Sequence, residues 1–82
     1  MKKTIEITDI ERAYNNPVAE LVETACRFNS HIALDSEGKN INAKSLLGVM
    51  AFGLKNGMLV DIHTEGDDDE IAMEGITKFL CP

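Results

Sequence analysis

Ser45 is the residue of this chain whose position is best suited to chemistry. It stands immediately before the compact apolar segment Leu46 to Phe52, which we predict to form a short helix ending near Gly53. Its hydroxyl can accept a hydrogen bond from a free backbone N–H at the start of that helix. A phosphate on Ser45 would lie over the same N–H groups, where the helix dipole favours negative charge. The segment therefore predicts a helix cap, at a position where an added phosphate would cost the fold little.

The other residues capable of chemistry form no recognisable site. His31 and His63 are each predicted on a strand, and both are best interpreted as surface histidines. The acidic run Asp67–Glu70 lacks the alternating oxygen ligands and central glycine of a calcium loop, and acidic residues that open a helix explain it. The chain has no glycine-rich phosphate loop, zinc-ligand cluster or nucleophile elbow. We therefore expect no metal site and no cofactor.

Residue spacing predicts one strand and one helix in the first third of the chain. Thr4–Thr8 alternates apolar and polar residues, which indicates a strand with one wet face. Asn16 can cap a helix whose first residue, Pro17, has no N–H to lose. The inward stripe of this helix comprises Val18, Leu21, Val22 and Ala25.

The rest of the chain predicts a hairpin, the short helix after Ser45, a fourth strand and a last helix. Two short runs of alternating residues are joined by a turn around Gly38. Strand four covers the alternating segment Met58–Glu65 and places His63 on its outer face. Asp67 or Asp68 caps the last helix. Its inward residues are Ala72, Ile76, Phe79 and Leu80.

This order of elements, βαββαβα, predicts an α+β open-faced sandwich, in which a four-stranded antiparallel sheet carries three helices on one face. A single helical layer leaves the other face of the sheet in water, which explains the polar alternation of the strands. The 82 residues make one domain, residues 1–82, without an internal repeat or a linker.

The composition excludes several classes of function. The net charge of -6 opposes nucleic-acid binding, because such a surface must supply cations that displace phosphate counterions. The longest apolar stretch, Leu46–Leu54, is far shorter than the roughly 20 residues that span a bilayer. No apolar segment follows the first lysines, so we expect no export signal and no membrane insertion. Cys26 and Cys81 are too few for a disulfide framework; we expect a cytoplasmic protein with Cys26 buried on its helix.

The run Asn42–Gly53 resembles the regulatory-serine segment of HPr, the histidine-containing phosphocarrier of the bacterial sugar phosphotransferase system. In both, Lys-Ser is followed by two apolar residues, then by Gly, Val and Met and by a later Gly, and the segment comes after a hairpin. The predicted order of elements is also that of HPr. The resemblance therefore covers essentially the whole chain and implies the HPr fold.

The segment Arg12–Pro17 departs from the family at its phosphorylation site. The family motif there is Gly-Ile-His-Ala-Arg-Pro, and matching its proline to Pro17 places Tyr14 at the histidine and Asn16 at the arginine. A phosphoimidazole passes its phosphate in both directions, whereas a tyrosine phosphate ester does not, and a phenol with a pKa of about 10 stays protonated at neutral pH. Asn16 lacks the charge of a bidentate phosphate partner. The resemblance thus implies no catalytic residue and a lost phosphocarrier activity.

A noncatalytic regulatory or binding module, controlled by phosphorylation of Ser45, is the function that the resemblance implies. It is similar to the catabolite-repression HPr-like members of the family. The implied partners are proteins: an HPr kinase, and a transcriptional regulator or a phosphotransferase-system component. The apolar residues after Ser45 crowd a helix too short to bury them all, so we expect them to form the contact surface. These residues are Leu46, Leu47, Met50 and Phe52.

Two alternatives remain open. The chain could be a phosphocarrier of the phosphotransferase system that uses another residue, with His31 and His63 as the candidates. It could also be a diverged domain that binds an unrelated protein and is never phosphorylated. For Asn16, a helix cap alone is the simpler interpretation.

Overall fold

The computed structural model describes residues 1–82 as one sheet covered by a layer of helices. The strands are β1 (Lys2–Glu6), β2 (His31–Ser36), β3 (Lys39–Asn42) and β4 (Leu59–Glu65), and the helices are α1 (Ile10–Ala13), α2 (Pro17–Ala25), α3 (Leu46–Phe52) and α4 (Asp69–Leu80). All strand pairs are antiparallel, in the order β1-β4-β2-β3. This is the predicted open-faced sandwich with the short helix α1 added. None of the helices is long and apolar enough to cross a membrane.

Strand β4 lies inside the sheet and pairs with β1 on one side and with β2 on the other. Its inward residues Val60, Ile62 and Thr64 are at most 1% exposed. Ile5 of β1 faces Val60, and Leu34 of β2 faces Ile62. Because successive side chains of a strand point to opposite faces, this register gives the sheet one apolar face and one wet face.

Helices α2, α3 and α4 cover the apolar face. Burial of a large apolar side chain contributes roughly 1.5–3 kcal/mol, so this layer supplies much of the stability of a chain of this size. The four inward residues predicted for α4 are all buried, and of those predicted for α2, Leu21 and Ala25 are buried while Val18 and Val22 are half-buried. The helix side chains in the core are Leu21, Ala25, Val49, Phe52, Ala72, Met73, Ile76, Phe79 and Leu80, together with Ile10 of α1.

Strand β1 covers Lys2–Glu6, two residues earlier than the predicted Thr4–Thr8. Its pairing stops where Glu6 faces Leu59, the first residue of β4. Beyond that point the backbone N–H of Ile7 donates to the Met58 carbonyl at 2.9 Å in the loop before β4, and Ile7 stays buried. Alternation therefore predicted which side chains face inward, but the end of the strand depends on the length of its partner.

Helix α1 was not predicted. It is a single turn whose only buried side chain is Ile10, and the backbone N–H of Ile10 donates to Asn56 Oδ1 at 2.9 Å. Asp9, immediately before it, has a left-handed backbone with φ 48°. One turn is too short to display a helical period, and its cap comes from a residue distant in sequence, so no local pattern indicates it.

Cys26 is exposed, which corrects the prediction that it is a buried residue of its helix. Helix α2 ends at Ala25, and Cys26 is its C-cap residue. Successive residues of a helix are rotated by about 100°, so a position next to the fully buried Ala25 points away from the core.

Asp68 joins the loop after α2 to the start of α4. Its carboxylate accepts hydrogen bonds from the backbone N–H groups of Asn29 at 2.9 Å and Ser30 at 2.8 Å, and from the Ser30 hydroxyl. These bonds, the hydroxyl's first among them, hold the pKa of Asp68 below its usual value. The predicted cap position before α4 is thus correct for Asp68, but its side chain binds the neighbouring loop and makes no cap bond to α4.

We expect Asp68→Asn to lower the melting temperature by several degrees at neutral pH, because an amide has one acceptor oxygen and no charge with which to hold three donors. Asp67→Asn, at an exposed neighbouring position, is the control and should leave the melt unchanged.

The difference in melting temperature between wild type and Asp68→Asn should depend on pH in a defined direction. Because the folded pKa of Asp68 is lowered, its stabilisation is complete above the unfolded value of 3.8 and is lost as the pH falls through the folded value. Thermal melts should therefore show the gap between wild type and Asp68→Asn closing below about pH 4. A gap that stays constant in stronger acid would contradict this assignment.

Candidate functional site

The start of α2 is closed by side chains of the same helix. Asn16 Oδ1 accepts a hydrogen bond from the backbone N–H of Ala19 at 3.3 Å, so Asn16 is the predicted N-cap. Glu20 Oε2 accepts from the backbone N–H of Asn16 at 2.9 Å. A helix start can bind an anion through its free N–H groups. Here those of Asn16 and Ala19 are already bonded, and the Glu20 carboxylate lies where an anion would approach.

Tyr14 is a packed side chain. Its ring stacks on Phe79, with centroids 3.9 Å apart and planes 8° from parallel, and its hydroxyl donates to the Phe79 carbonyl at 3.0 Å. That carbonyl belongs to the last turn of α4, where backbone acceptors lack partners within the helix. Tyr14 therefore ties the loop before α2 to the end of α4.

The acidity of Tyr14 is lowered by the same surroundings. Burial raises the pKa of the Tyr14 phenol above its usual 10.0, and the nearby Glu20 carboxylate raises it further. A phenol that is protonated, stacked and already donating to a carbonyl is a poor nucleophile at neutral pH. The start of α2 therefore offers neither a reactive group nor an open anion site.

The two histidines lie on a different surface. His31 is exposed on β2, next to buried Ile32, and His63 is half-buried on β4, between buried Ile62 and Thr64. Strand alternation therefore places both imidazoles on the outer face of the sheet, opposite the helices. The prediction of surface histidines is confirmed for the exposed His31, and His63 lies on the predicted face with part of its side chain covered.

Ser45 forms the predicted cap of α3. Its Oγ accepts from the backbone N–H of Gly48 at 3.1 Å. The space beside Gly48 is tight, because a Cβ there would lie 3.2 Å from Ser45 Oγ. The preceding residue, Lys44, donates from Nζ to the Phe28 carbonyl at 2.7 Å. The serine is half-buried, its hydroxyl adjoins helix N–H groups, and a lysine precedes it.

Three of the four predicted contact residues are exposed. Leu46 is 49%, Leu47 79% and Met50 58% accessible, whereas Phe52 is 2% accessible and belongs to the core. Val49 and Phe52 lie three residues apart and share the inward side of α3, which corrects the assignment of Phe52 to the surface. We use the term apolar patch for Leu46, Leu47 and Met50.

Glu20 and Phe79 were not singled out as site residues by the sequence. The spacing between Asn16 and Glu20 resembles a capping box lengthened by one residue, so a local signal for Glu20 exists. Phe79 lies 65 residues from Tyr14, and no local pattern connects them.

Comparison with known proteins identifies the class of this molecule. A family model described as the PTS HPr component phosphorylation site matches residues 1–81. The chain belongs to the HPr family of the phosphotransferase system.

Its relatives include both phosphocarriers and HPr-like proteins. The HPr-like protein Crh of Halalkalibacterium halodurans is 34% identical over 80 residues, which are 98% of this chain and 95% of the relative. The phosphocarrier protein HPr of Buchnera aphidicola is 38% identical over 79 residues, or 96% and 93% of the two chains. The crystal structure of a phosphocarrier protein HPr from Bacillus anthracis is similar with a TM-score of 0.86 at 30% identity, covering 98% of this chain and 95% of that one.

A direct measurement can test the packing of Tyr14. It is the single tyrosine and the chain has no tryptophan, so the ultraviolet absorbance of tyrosinate reports on it alone. We expect a titration midpoint above 10.0. In Glu20→Gln the midpoint should fall but stay above 10.0, because burial is the larger cause of the shift. Glu11→Gln, an exposed acid on α1, is the control and should leave the midpoint unchanged.

The same shift links Tyr14 to alkaline stability. Since the pKa of Tyr14 is raised in the folded state, the contribution of the protonated phenol to stability is complete below pH 10.0. It is lost as the pH rises through the pKa of the folded state. A midpoint at or below 10.0 would mean that the phenol is free in solution and accessible to reagents.

Proposed function

We propose that this protein is a noncatalytic regulatory or binding module of the HPr family, controlled by phosphorylation of Ser45. The observation that carries the proposal is the position of Ser45 directly before an exposed apolar patch on α3. A modification there changes the charge at the edge of a surface suited to protein contact. Other members of the family act through protein partners of the phosphotransferase system, and the proposed setting is the cytoplasm.

The start of α2 supports a regulatory role in preference to phosphoryl transfer. If Tyr14 and Asn16 stand at the family's histidine and arginine, the positions of nucleophile and cation are taken by a packed phenol and a neutral cap. The Glu20 carboxylate beside them would repel an incoming phosphoryl group. These features support the loss of the carrier function.

The surroundings of Ser45 favour an added phosphate. Such a group carries about -1.5 to -2 charges at neutral pH. The first turn of α3 contains no acidic residue, and the Gly48 N–H already points at the serine side chain. Lys44 can release the Phe28 carbonyl and pair with the phosphate instead. Modification should therefore leave the fold intact.

The apolar patch is the proposed contact surface for protein partners. An HPr kinase must reach Ser45 across it, and a transcriptional regulator or a phosphotransferase-system component would bind the modified form. The similarity to the HPr-like protein Crh supports this assignment. Leu47 is the most exposed side chain of the patch and lies in the first turn of α3, so a substitution there is the best single test of partner contact.

We expect a bifunctional HPr kinase with ATP to add one phosphate, and mass spectrometry to locate it on Ser45. The other serines, Ser30 and Ser36, are 1% and 7% exposed and provide internal controls. Ser45→Ala should abolish the modification and cost about 1 kcal/mol of stability through loss of the cap. Modification elsewhere, or a phosphorylated form that melts several degrees lower, would show that Ser45 is only a structural cap.

The same experiment with enzyme I and phosphoenolpyruvate separates the alternatives. No acid-labile mass gain is expected, because the start of α2 offers no imidazole. A gain that disappears in His31→Ala or His63→Ala would establish a phosphocarrier that uses another residue. Absence of phosphorylation by both enzymes would favour the diverged domain that is never phosphorylated.

A second prediction concerns the apolar patch. Leu47→Asp should lower kcat/KM of the kinase for Ser45 by about tenfold or more, because an apolar contact is replaced by a charge next to the reacting serine. Its melting temperature should change little, since Leu47 is 79% exposed. Ile71→Asp on α4, at a side chain 64% exposed, is the matched control and should leave kcat/KM unchanged. Equal effects of the two variants would contradict docking through the patch.

A further inference from the structure

The peptide group that joins Phe28 to Asn29 lies between two charged side chains. Its carbonyl, that of Phe28, accepts a hydrogen bond from Lys44 Nζ at 2.7 Å. Its N–H, that of Asn29, donates to Asp68 Oδ2 at 2.9 Å. The cation thus meets the negative end of the peptide dipole and the anion its positive end, and hydrogen bonds in such a chain strengthen one another. One peptide group therefore connects the residue before Ser45 to the residue before α4.

The Lys44 side chain is the movable part of this connection. The backbone N–H of Lys44 donates to Asn42 Oδ1 at 2.8 Å, and that of Ser45 donates to the Asn42 carbonyl at 3.0 Å. At the other end, the Phe28 ring packs on α4, where a Cβ at Gly75 would lie 2.6 Å from Phe28 Cζ. Both backbone segments are therefore held in place. A lysine has a flexible four-carbon stem, so its ammonium group can exchange partners without a change of the backbone.

Lys44 also supplies a positive charge close to the end of α2. The last turn of α2 contains no basic residue, and Arg27, which follows that turn, lies 3.7 Å from the carboxylate of Glu23. The carbonyls at the end of a helix lack partners within the helix and favour a nearby cation. A phosphate on Ser45, the next residue, would therefore compete with the end of α2 for the same ammonium group.

We propose that Lys44 is a switch that carries the modification state of Ser45 to the start of α4, an inference that rests on the proposed phosphorylation of Ser45. In the unmodified protein, Lys44 holds the Phe28 carbonyl. In the modified protein, its ammonium group pairs with the phosphate, whose charge of about -1.5 to -2 exceeds the partial charge of a carbonyl. The released peptide group then binds Asp68 less strongly, and the loop between α2 and β2 opens more often. A partner that contacts this loop and the apolar patch would thereby distinguish the two forms.

Amide hydrogen exchange, measured by nuclear magnetic resonance, tests the connection in the unmodified protein. Lys44→Met should raise the exchange rate of the Asn29 amide by about tenfold, because it removes a hydrogen bond from a charged donor. Lys55→Met, at an exposed lysine, is the control and should leave that rate unchanged. The double variant of Lys44→Met and Asp68→Asn should lose less melting temperature than the sum of the two single losses. An unchanged Asn29 rate in Lys44→Met, or strictly additive losses, would overturn the proposal.

A charge at residue 45 tests the switching itself. The Asn29 amide should exchange severalfold faster in Ser45→Asp than in Ser45→Asn, because both substitutions preserve a helix cap and only the first adds a charge. The difference should disappear when Lys44→Met is also present, and the phosphorylated protein should show the larger effect. Phosphorylation of Ser45 without a change at Asn29 would overturn the switch and leave the proposed function standing. Faster exchange in Ser45→Asp, in a protein that the kinase does not modify, would support the switch and contradict the proposed function.

Discussion

The pairing of β4 along both of its edges is the constraint on which the structure depends. Its inward residues Val60, Ile62 and Thr64 form the sheet side of the core. Both β1 and β2 are placed in register by their pairing with β4. A shift of one residue would turn this row to the solvent and bring a row of charged residues and His63 under the helices. The register of this one strand therefore decides that the helices lie on one face and the histidines on the other.

Much of this arrangement could be predicted because its signals are local. The stripe of α2 and the inward residues of α4 follow from a spacing of three and four residues, and the caps at Asn16 and Ser45 precede those helices directly. The end of β1 and the single turn α1 could not be predicted in this way. Their limits depend on Leu59 and Asn56, which are remote in sequence and supply a pairing partner and a hydrogen bond.

In the candidate site, too, the features with a local signal could be predicted and those that depend on remote residues could not. The cap position of Ser45 and the exposure of Leu46, Leu47 and Met50 could be predicted, because the serine directly precedes the helix and a short helix has too little inward surface for all of its apolar residues. Which one turns inward depends on the position of the helix on the sheet, and that residue is Phe52. Tyr14 could be seen to lack the chemistry of an imidazole. Two further contacts are seen only in the structure: the hydrogen bond from Tyr14 to the Phe79 carbonyl, and the bond of the Glu20 carboxylate to the Asn16 N–H. Together they explain why the start of α2 is not open to an anion.

The contact between Ser45 and Gly48 has a consequence for transplanting this segment into other proteins. The two residues share one small volume, since a Cβ at Gly48 would lie 3.2 Å from Ser45 Oγ and 3.3 Å from Ser45 Cβ. A Cβ at Gly48 would need Ser45 to shift by a few tenths of an ångström, so a graft of this cap keeps its present geometry most directly when the glycine three positions later is carried with the serine. Ile41 also borders this volume, because its Cβ would lie 3.5 Å from a Cβ added at Gly48. A scaffold that accepts the graft therefore needs a side chain of similar position and size there.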